Sequence, residues 1–239
     1  MLSLIVKRTA RRLGLDLRRY RPANSSGPQL ISMLSSHRVN LVFDVGANTG
    51  QFAQALREDG FAGRIVSFEA LASAHEQLRL SSKNDPLWEV APQAAIGSGD
   101  GEIDIHVADN SVSSSVLEML PAHVDVAPGA RYVGIERVPS RRLDSLAQGY
   151  LRNDSVSFLK VDTQGYEDRV LDGASLTLKH VVGIQLEVSL VHLYDGQCLF
   201  LEIAQRLKHE GFELWAVWQS FIDETSGRLI QADATFFRR

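Results

Sequence analysis

Apolar runs that do not alternate with polar residues recur along the chain. They are Leu41-Val42-Phe43-Asp44-Val45, Arg64-Ile65-Val66-Ser67-Phe68-Glu69, Val156 to Val161 and Val181 to Val188. Runs of this length read as strands covered on both faces, the parallel strands of an open α/β sheet. Helical patterns separate them: the apolar side of Phe52, Ala53, Ala55 and Leu56, a stretch from Glu69 to about Ser82, Asp168 to Gly173, and Leu199 to Glu210. Thr49 stands where an N-cap is wanted. Trp88-Glu89-Val90, the alternating Ile103 to Val107 and Tyr132 to Val138 predict further strands, and Leu143 to Leu146 a brief helix. Phe212 to Trp218 and Ala234 to Phe237 pair as a closing hairpin, after Gly211 stops the preceding helix. Strands alternating with helices predict a doubly wound α/β sheet.

Two of these strands end in chemistry. After Asp44 comes Val45-Gly46-Ala47-Asn48-Thr49-Gly50, a glycine turn between strand and helix, with Gly46 and Gly50 letting a ligand approach the backbone. A dinucleotide corner would read G-x-G-x-x-G. Here the pattern is Asp44-x-Gly46-x-x-x-Gly50, and an anion at the strand end repels a pyrophosphate but suits a cationic ligand. Glu69 follows 25 positions after Asp44, near the spacing of roughly 20 at which nucleotide folds place a ribose-binding acid. A carboxylate accepts hydrogen bonds from both vicinal hydroxyls of a ribose. The turn resembles the first motif of class I methyltransferases that bind S-adenosylmethionine (SAM), whose ammonium and sulfonium centres meet that demand.

A second stretch repeats this arrangement. Lys160-Val161-Asp162-Thr163-Gln164-Gly165-Tyr166-Glu167, followed by Val170-Leu171-Asp172-Gly173-Ala174, is similar to the K-x-D-x-E-G-x-E…(V/L)-L-x-G-A signature of FkbM-type methyltransferases. Val42 to Asn48, Phe68-Glu69, Ser113-Ser114-Ser115, Arg142 to Leu146 and Gln185-Leu186-Glu187 stand in that family's order. The resemblance covers residues 40–237. It implies a Rossmann-like doubly wound mixed sheet of seven strands, the class I methyltransferase fold. It also implies O-methylation of a hydroxyl on a sugar, glycolipid or polyketide. Two positions depart from the pattern: Gln164 stands where the family usually has Glu, and Ala70 where it often has Pro.

Candidate site residues follow. Asp44, Gly46, Asn48, Gly50 and Glu69 are expected to bind SAM, with Gln93 at the adenine edge beside the small residues Ala94 and Ala95. Asp162, Glu187 and His192 stand on the acceptor side as candidate bases, with His106 a weaker one. Asp44, Glu69, Asp162 and Glu187 are expected to form one acidic rim. Mg²⁺, which prefers oxygen ligands, is compatible with Asp162 and Glu187, but nothing demands it, and Gln164 removes a carboxylate. Trp218 and Phe221 offer aromatic faces to a sugar. A non-catalytic SAM-binding scaffold and an NAD(P)-dependent oxidoreductase are the alternatives, the second disfavoured by Asp44.

Composition changes this picture mainly at the N-terminus. The 239 residues, 44% hydrophobic and 23% charged, suit one globular domain. Residues 1–21 hold seven basic residues and Asp16, a balance of +6 that leaves −10 on the rest of a chain whose net charge is −4. Without a general basic surface, nucleic acid is excluded as a partner. Residues 1–39 read as a basic amphipathic extension with a linker from Pro22 to Pro28 and a short helix from Gln29. Residues 40–239 form the catalytic domain. The first 21 residues are too short and charged to span a bilayer and lack a signal peptide's apolar core. They suit peripheral contact with an anionic membrane, or simple docking on the domain. Cys198 is the only cysteine and fits a cytoplasmic chain with a small core residue there.

Overall fold

A computed structural model describes residues 4–15 and 25–238. A helix α1 (Leu4–Arg12) precedes α2 (Ser26–Ser36). The chain then alternates through β1 (Leu41–Val45), α3 (Gln51–Glu58), β2 (Arg64–Phe68), α4 (Ala72–Ser82) and β3 (Trp88–Val90). Next come β4 (Ala95–Ile96), β5 (Gly101–Ala108), α5 (Pro121–Val126), β6 (Tyr132–Arg141) and α6 (Leu143–Leu146). The last part runs through β7 (Ser157–Val161), α7 (Glu167–Asp172), β8 (Val181–Ser189), α8 (Phe200–His209), β9 (Phe212–Ile222) and β10 (Leu229–Arg238).

Seven strands form one mixed sheet in the order β3-β2-β1-β7-β8-β10-β9. The pairs from β3 to β8 are parallel, while β10 runs antiparallel between β8 and β9. All five residues of β1 are buried, as are all five of β7, so neither strand needs to alternate. One face packs Phe43, Val66, Leu159 and Leu186 against Val170 and Leu171 of α7 and Ile203 and Leu207 of α8. The opposite face packs Val42, Ile65, Phe158 and Phe237 against α2, α3 and Leu78 of α4. This is the doubly wound seven-stranded sheet that the sequence led us to expect.

Three features differ from expectation. Strands β4, β5 and β6 leave the main sheet and form a small one of their own, in the order β4-β6-β5. Helix α2 begins at Ser26, so Gly27 and Pro28 belong to its first turn rather than to a linker; proline costs nothing there, since those N–H groups have no intrahelical acceptor. Leu30, Met33 and Leu34 bury α2 in the core, and Trp218 donates its indole N–H to Gln29. The segment from Ser26 to Ser36 is thus built into the domain rather than appended to it. Residues 16–24, with three of the seven expected linker positions and half the arm's arginines, lie outside the described residues. In α1, Ala10 is buried, whereas Val6 and the following Leu13 and Leu15 are exposed. No helix among the described residues is long and apolar enough to cross a membrane.

Candidate functional site

The carboxyl ends of β1, β2, β7 and β8 open into one cavity of about 640 Å³. In an open α/β sheet, ligands sit there. The segment from Asn110 to Val116, with His123 and Ala127, lines it as well, so the excursion around the small sheet supplies its other wall.

At one end stands Glu69. Its two carboxylate oxygens each accept one backbone N–H, from Asn48 and from Leu71, both at 2.8 Å. Burial raises its pKa, against the lowering effect of the Leu71 and Asn48 bonds. Glu69 lines the cavity, and a carboxylate with two accepting oxygens suits the two hydroxyls of a ribose. Ala70, Leu71, Ala94, Ala95 and Ile96 supply an apolar, small-residue wall beside it. Asn48 holds the turn through a left-handed φ of 48° and accepts the Thr49 N–H at 2.8 Å. Gly50, with φ 98°, is the N-cap of α3 in place of Thr49.

The glycines act otherwise than expected. A Cβ on Gly46 would lie 1.9 Å from the carbonyl oxygen of Asp162, and one on Gly50 would lie 2.7 Å from the Trp88 ring. Gly46 therefore lets the tips of β1 and β7 meet, and Gly50 lets α3 seat on Trp88. Chain packs on chain at both positions, where ligand approach was the expected reason.

Asp44 is likewise displaced from its expected role. It is fully buried and does not line the cavity, because parallel register sets it between Ser67 and Lys160 one layer below. The Ser67 hydroxyl donates to it at 3.0 Å, and the Lys160 ammonium lies 3.8 Å away. Lys160 itself reaches the cavity, 3.1 Å from Asp162 and over the Phe52 ring. Burial disfavours its charge, but Asp162 and Asp44 prevail and hold its pKa above the ordinary value. The Asp44–Lys160–Asp162 chain is a charge-paired support for the floor, with Asp162 its cavity end.

At the other end, Gln164 takes a left-handed φ of 53° and donates from its amide to Asp162 at 2.8 Å and to Glu187 at 2.7 Å. Its carbonyl side lies 3.1 Å from the Tyr194 hydroxyl, and Ser115 donates to its backbone oxygen at 2.7 Å. The buried Glu167 carboxylate fixes the same turn by accepting the N–H groups of Thr163 and Gly165. Glu187 also accepts from Ser220 at 2.6 Å and Gln231 at 2.9 Å. Burial and then Asp162 push the Glu187 pKa up to about 8, against the lowering effect of Ser220. An amide N–H thus fills the space between the two carboxylates where a bridging cation would sit. No cluster of three or more metal-ligating side chains occurs among the described residues. This donor set does not fit Mg²⁺.

Other expected residues fall elsewhere. His192 is exposed and outside the cavity wall, because the chain turns there to bury Leu193 and Tyr194. His106 stacks on Tyr132 at 4.8 Å and is also outside it. Gln93 donates to the Ala70 carbonyl at 2.7 Å and braces a wall residue without facing the cavity. Phe221 lines the cavity, while Trp218 packs toward α2.

Lys160, His123, Gln185 and Asp233 are among the cavity residues that escaped the sequence reading as site residues. His123 is buried edge-on to Tyr194 at 5.1 Å, its Nδ1 has no partner, and burial lowers its pKa to about 4. Its helix is six residues long with no motif around it. Only register identifies Asp233, which stands opposite Glu187.

The Methyltransferase FkbM domain family matches residues 44–214. No curated protein matches the sequence. Among solved structures, TehB from Haemophilus influenzae is 8% identical, with a TM-score of 0.47 over 88% of this chain and 62% of that one. Precorrin-6y C5,15-methyltransferase from Geobacter metallireducens is 11% identical, with a TM-score of 0.45 over 93% and 94%. LepI in complex with SAM is 10% identical, with a TM-score of 0.45 over 100% of this chain and 53% of that one.

Proposed function

The chain belongs to the FkbM methyltransferase family, and on that premise we propose that it transfers a methyl group from SAM to a hydroxyl of a glycan or lipid-linked acceptor. The observation that carries the cofactor assignment is Glu69. It is a buried carboxylate at the tip of β2, oriented by the Asn48 and Leu71 N–H groups and still able to accept from a ribose. Ala94, Ala95 and Ile96 would cover the adenine, and Gly46 and Asn48 the methionine side of the turn. Asp44 acts through Lys160, without touching the ligand.

Bound SAM supplies an electrophilic methyl on sulfur, and the rest is done by this chain's residues. Holding acceptor oxygen, carbon and sulfur in line is worth roughly 7–11 kcal/mol. A sugar hydroxyl is a poor acid, so a carboxylate that takes its proton during attack adds about 10²–10⁴-fold. Glu187 is our choice for that base. It lines the cavity, and its pKa near 8 lies close to the working range, where a base is both unprotonated often enough and strong enough. Asp162, tied to Lys160 and Gln164, positions it.

Labelled methyl from SAM should appear on a glycan or glycolipid fraction when the full chain is incubated with cell-extracted acceptors. A label on neither fraction, with SAM bound, would favour the scaffold reading. The basic arm at residues 1–21 is proposed to bring the enzyme to anionic membranes carrying such acceptors.

A further inference from the structure

One buried side chain at the acceptor end of the cavity has nothing to bond. His123, on α5, lines the cavity and is only 3% exposed. Buried polar groups are normally paired, yet neither of its ring nitrogens has a hydrogen-bond partner among the described residues. Nδ1 is sealed off from any occupant. Nε2 is not sealed, and because His123 borders the cavity, this is the nitrogen that an occupant can reach. The ring lies edge-on to Tyr194 at 5.1 Å and 6.3 Å from Phe221. Burial alone lowers its pKa to about 4, so the imidazole is neutral near pH 7.

The backbone fixes this ring beside the reacting end. Leu120, just before α5, donates its N–H to the Leu193 carbonyl at 2.9 Å, and Met119 bridges Tyr194. Tyr194 bonds Gln164, and Gln164 bonds Glu187, the base chosen above. Phe221, a second cavity residue, follows Ser220, which donates to Glu187 at 2.6 Å. His123 and Phe221 therefore flank the carboxylate that is to receive the proton. Lys160, the only lysine or arginine among the described residues lining the cavity, is already paired with Asp162 and Asp44.

We propose that His123 Nε2 binds a second hydroxyl of the acceptor ring whose first hydroxyl Glu187 deprotonates, with the ring's apolar face against Phe221. A neutral imidazole offers one donor or one acceptor at Nε2, according to its tautomer. A hydroxyl both donates and accepts, so it satisfies either form, whereas an ammonium only donates and a carboxylate only accepts. This inference rests on the methyltransferase reading and narrows its acceptor class to polyhydroxylated rings, sugars rather than simple alcohols.

The test is ligand-observed NMR titration of the full chain loaded with S-adenosylhomocysteine, at pH 7, with methyl β-glucoside and methyl β-galactoside. The tighter binder of the two is then titrated into H123Q and H123N. Both variants carry the same amide, but only the longer glutamine reaches the place of Nε2. H123N should weaken sugar binding about 3–10-fold, the scale of one neutral hydrogen bond, while H123Q stays within about twofold of the wild type. Affinity for S-adenosylhomocysteine should be the same in all three, which also reports that the variants are folded. Wild-type sugar affinity in H123N, an equal loss in both variants, no detectable binding of either sugar, or a changed S-adenosylhomocysteine affinity would overturn the proposal. If S-adenosylhomocysteine does not bind the wild type, the cofactor reading has failed. The same sugar titrations on the unloaded chain then still decide the role of His123 by the same criteria.

Discussion

Gly46→Ala should abolish cofactor binding and destabilise the fold by roughly 3–5 kcal/mol, a loss among the largest that single substitutions produce. Gly46 has a φ of 76°, which costs an alanine about 1–2 kcal/mol by itself. The added Cβ would also stand 1.9 Å from the Asp162 carbonyl oxygen, a backbone atom that cannot swing away like a flexible side chain. Relief requires the tips of β1 and β7 to separate, which breaks the Asp162 N–H bond to the Val45 carbonyl at 3.0 Å. The cofactor turn and the acceptor turn then move apart together. Urea denaturation should show a lower midpoint at unchanged slope, and calorimetry should show no heat with S-adenosylhomocysteine. A stable variant that binds normally would mean that the strand tips are not clamped as described.

Glu187→Gln should lower kcat by 10²-fold or more while SAM affinity is unchanged, since only the transition state loses its proton acceptor. The variant is sterically mild. A glutamine oxygen placed toward Gln164 and Gln231 still accepts both amides, and its NH₂ then faces Ser220, whose hydroxyl can turn to accept. The wild-type pH profile should carry the same signature. With the Glu187 pKa raised to about 8, the basic carboxylate form accumulates as pH rises, so kcat/KM should climb through about 8 and level off above it. Stability should run the other way. The folded pKa lies above the ordinary glutamate value of 4.5, so the unfolded chain releases this proton first and the fold loses stability as pH climbs from about 4.5 to 8. Glu187→Gln should remove both dependences. A variant with full kcat, or a profile flat from pH 6 to 9, would move the base elsewhere, with His123 the next residue to test.

The sequence carried the sheet well because parallel strands buried on both faces leave long apolar runs, and each of β1, β2, β7 and β8 shows one. It carried Glu69 and Asp162 for the same reason, since each follows the last residue of its strand and lines the cavity at the sheet's carboxyl edge, while Glu187 lines it from the seventh of nine β8 positions. Asp44 shows the limit of that reasoning. It is the fourth of five β1 residues rather than beyond the last, and one residue of register puts it beneath the floor. His192 shows another limit, since loop direction after β8 depends on burying Leu193 and Tyr194 and leaves no spacing signal. Asp233 and Gln185 become neighbours only through antiparallel pairing with β10, a contact between residues 48 positions apart that no local pattern announces. Gln164 was visible as a departure from the family pattern. That its amide would join two carboxylates depended on a left-handed turn.

Glu69 and the turn after β1 are proposed to hold SAM. The most direct test is calorimetric titration of the full chain with S-adenosylhomocysteine and, separately, with NADH, on wild type and Glu69→Gln. Saturable binding of S-adenosylhomocysteine near one per chain is expected, with no heat from NADH and an affinity weaker by roughly 10–100-fold in Glu69→Gln, the scale of a charge-assisted hydrogen bond. Saturable NADH binding with none for S-adenosylhomocysteine, or an unchanged affinity in Glu69→Gln, would contradict this assignment.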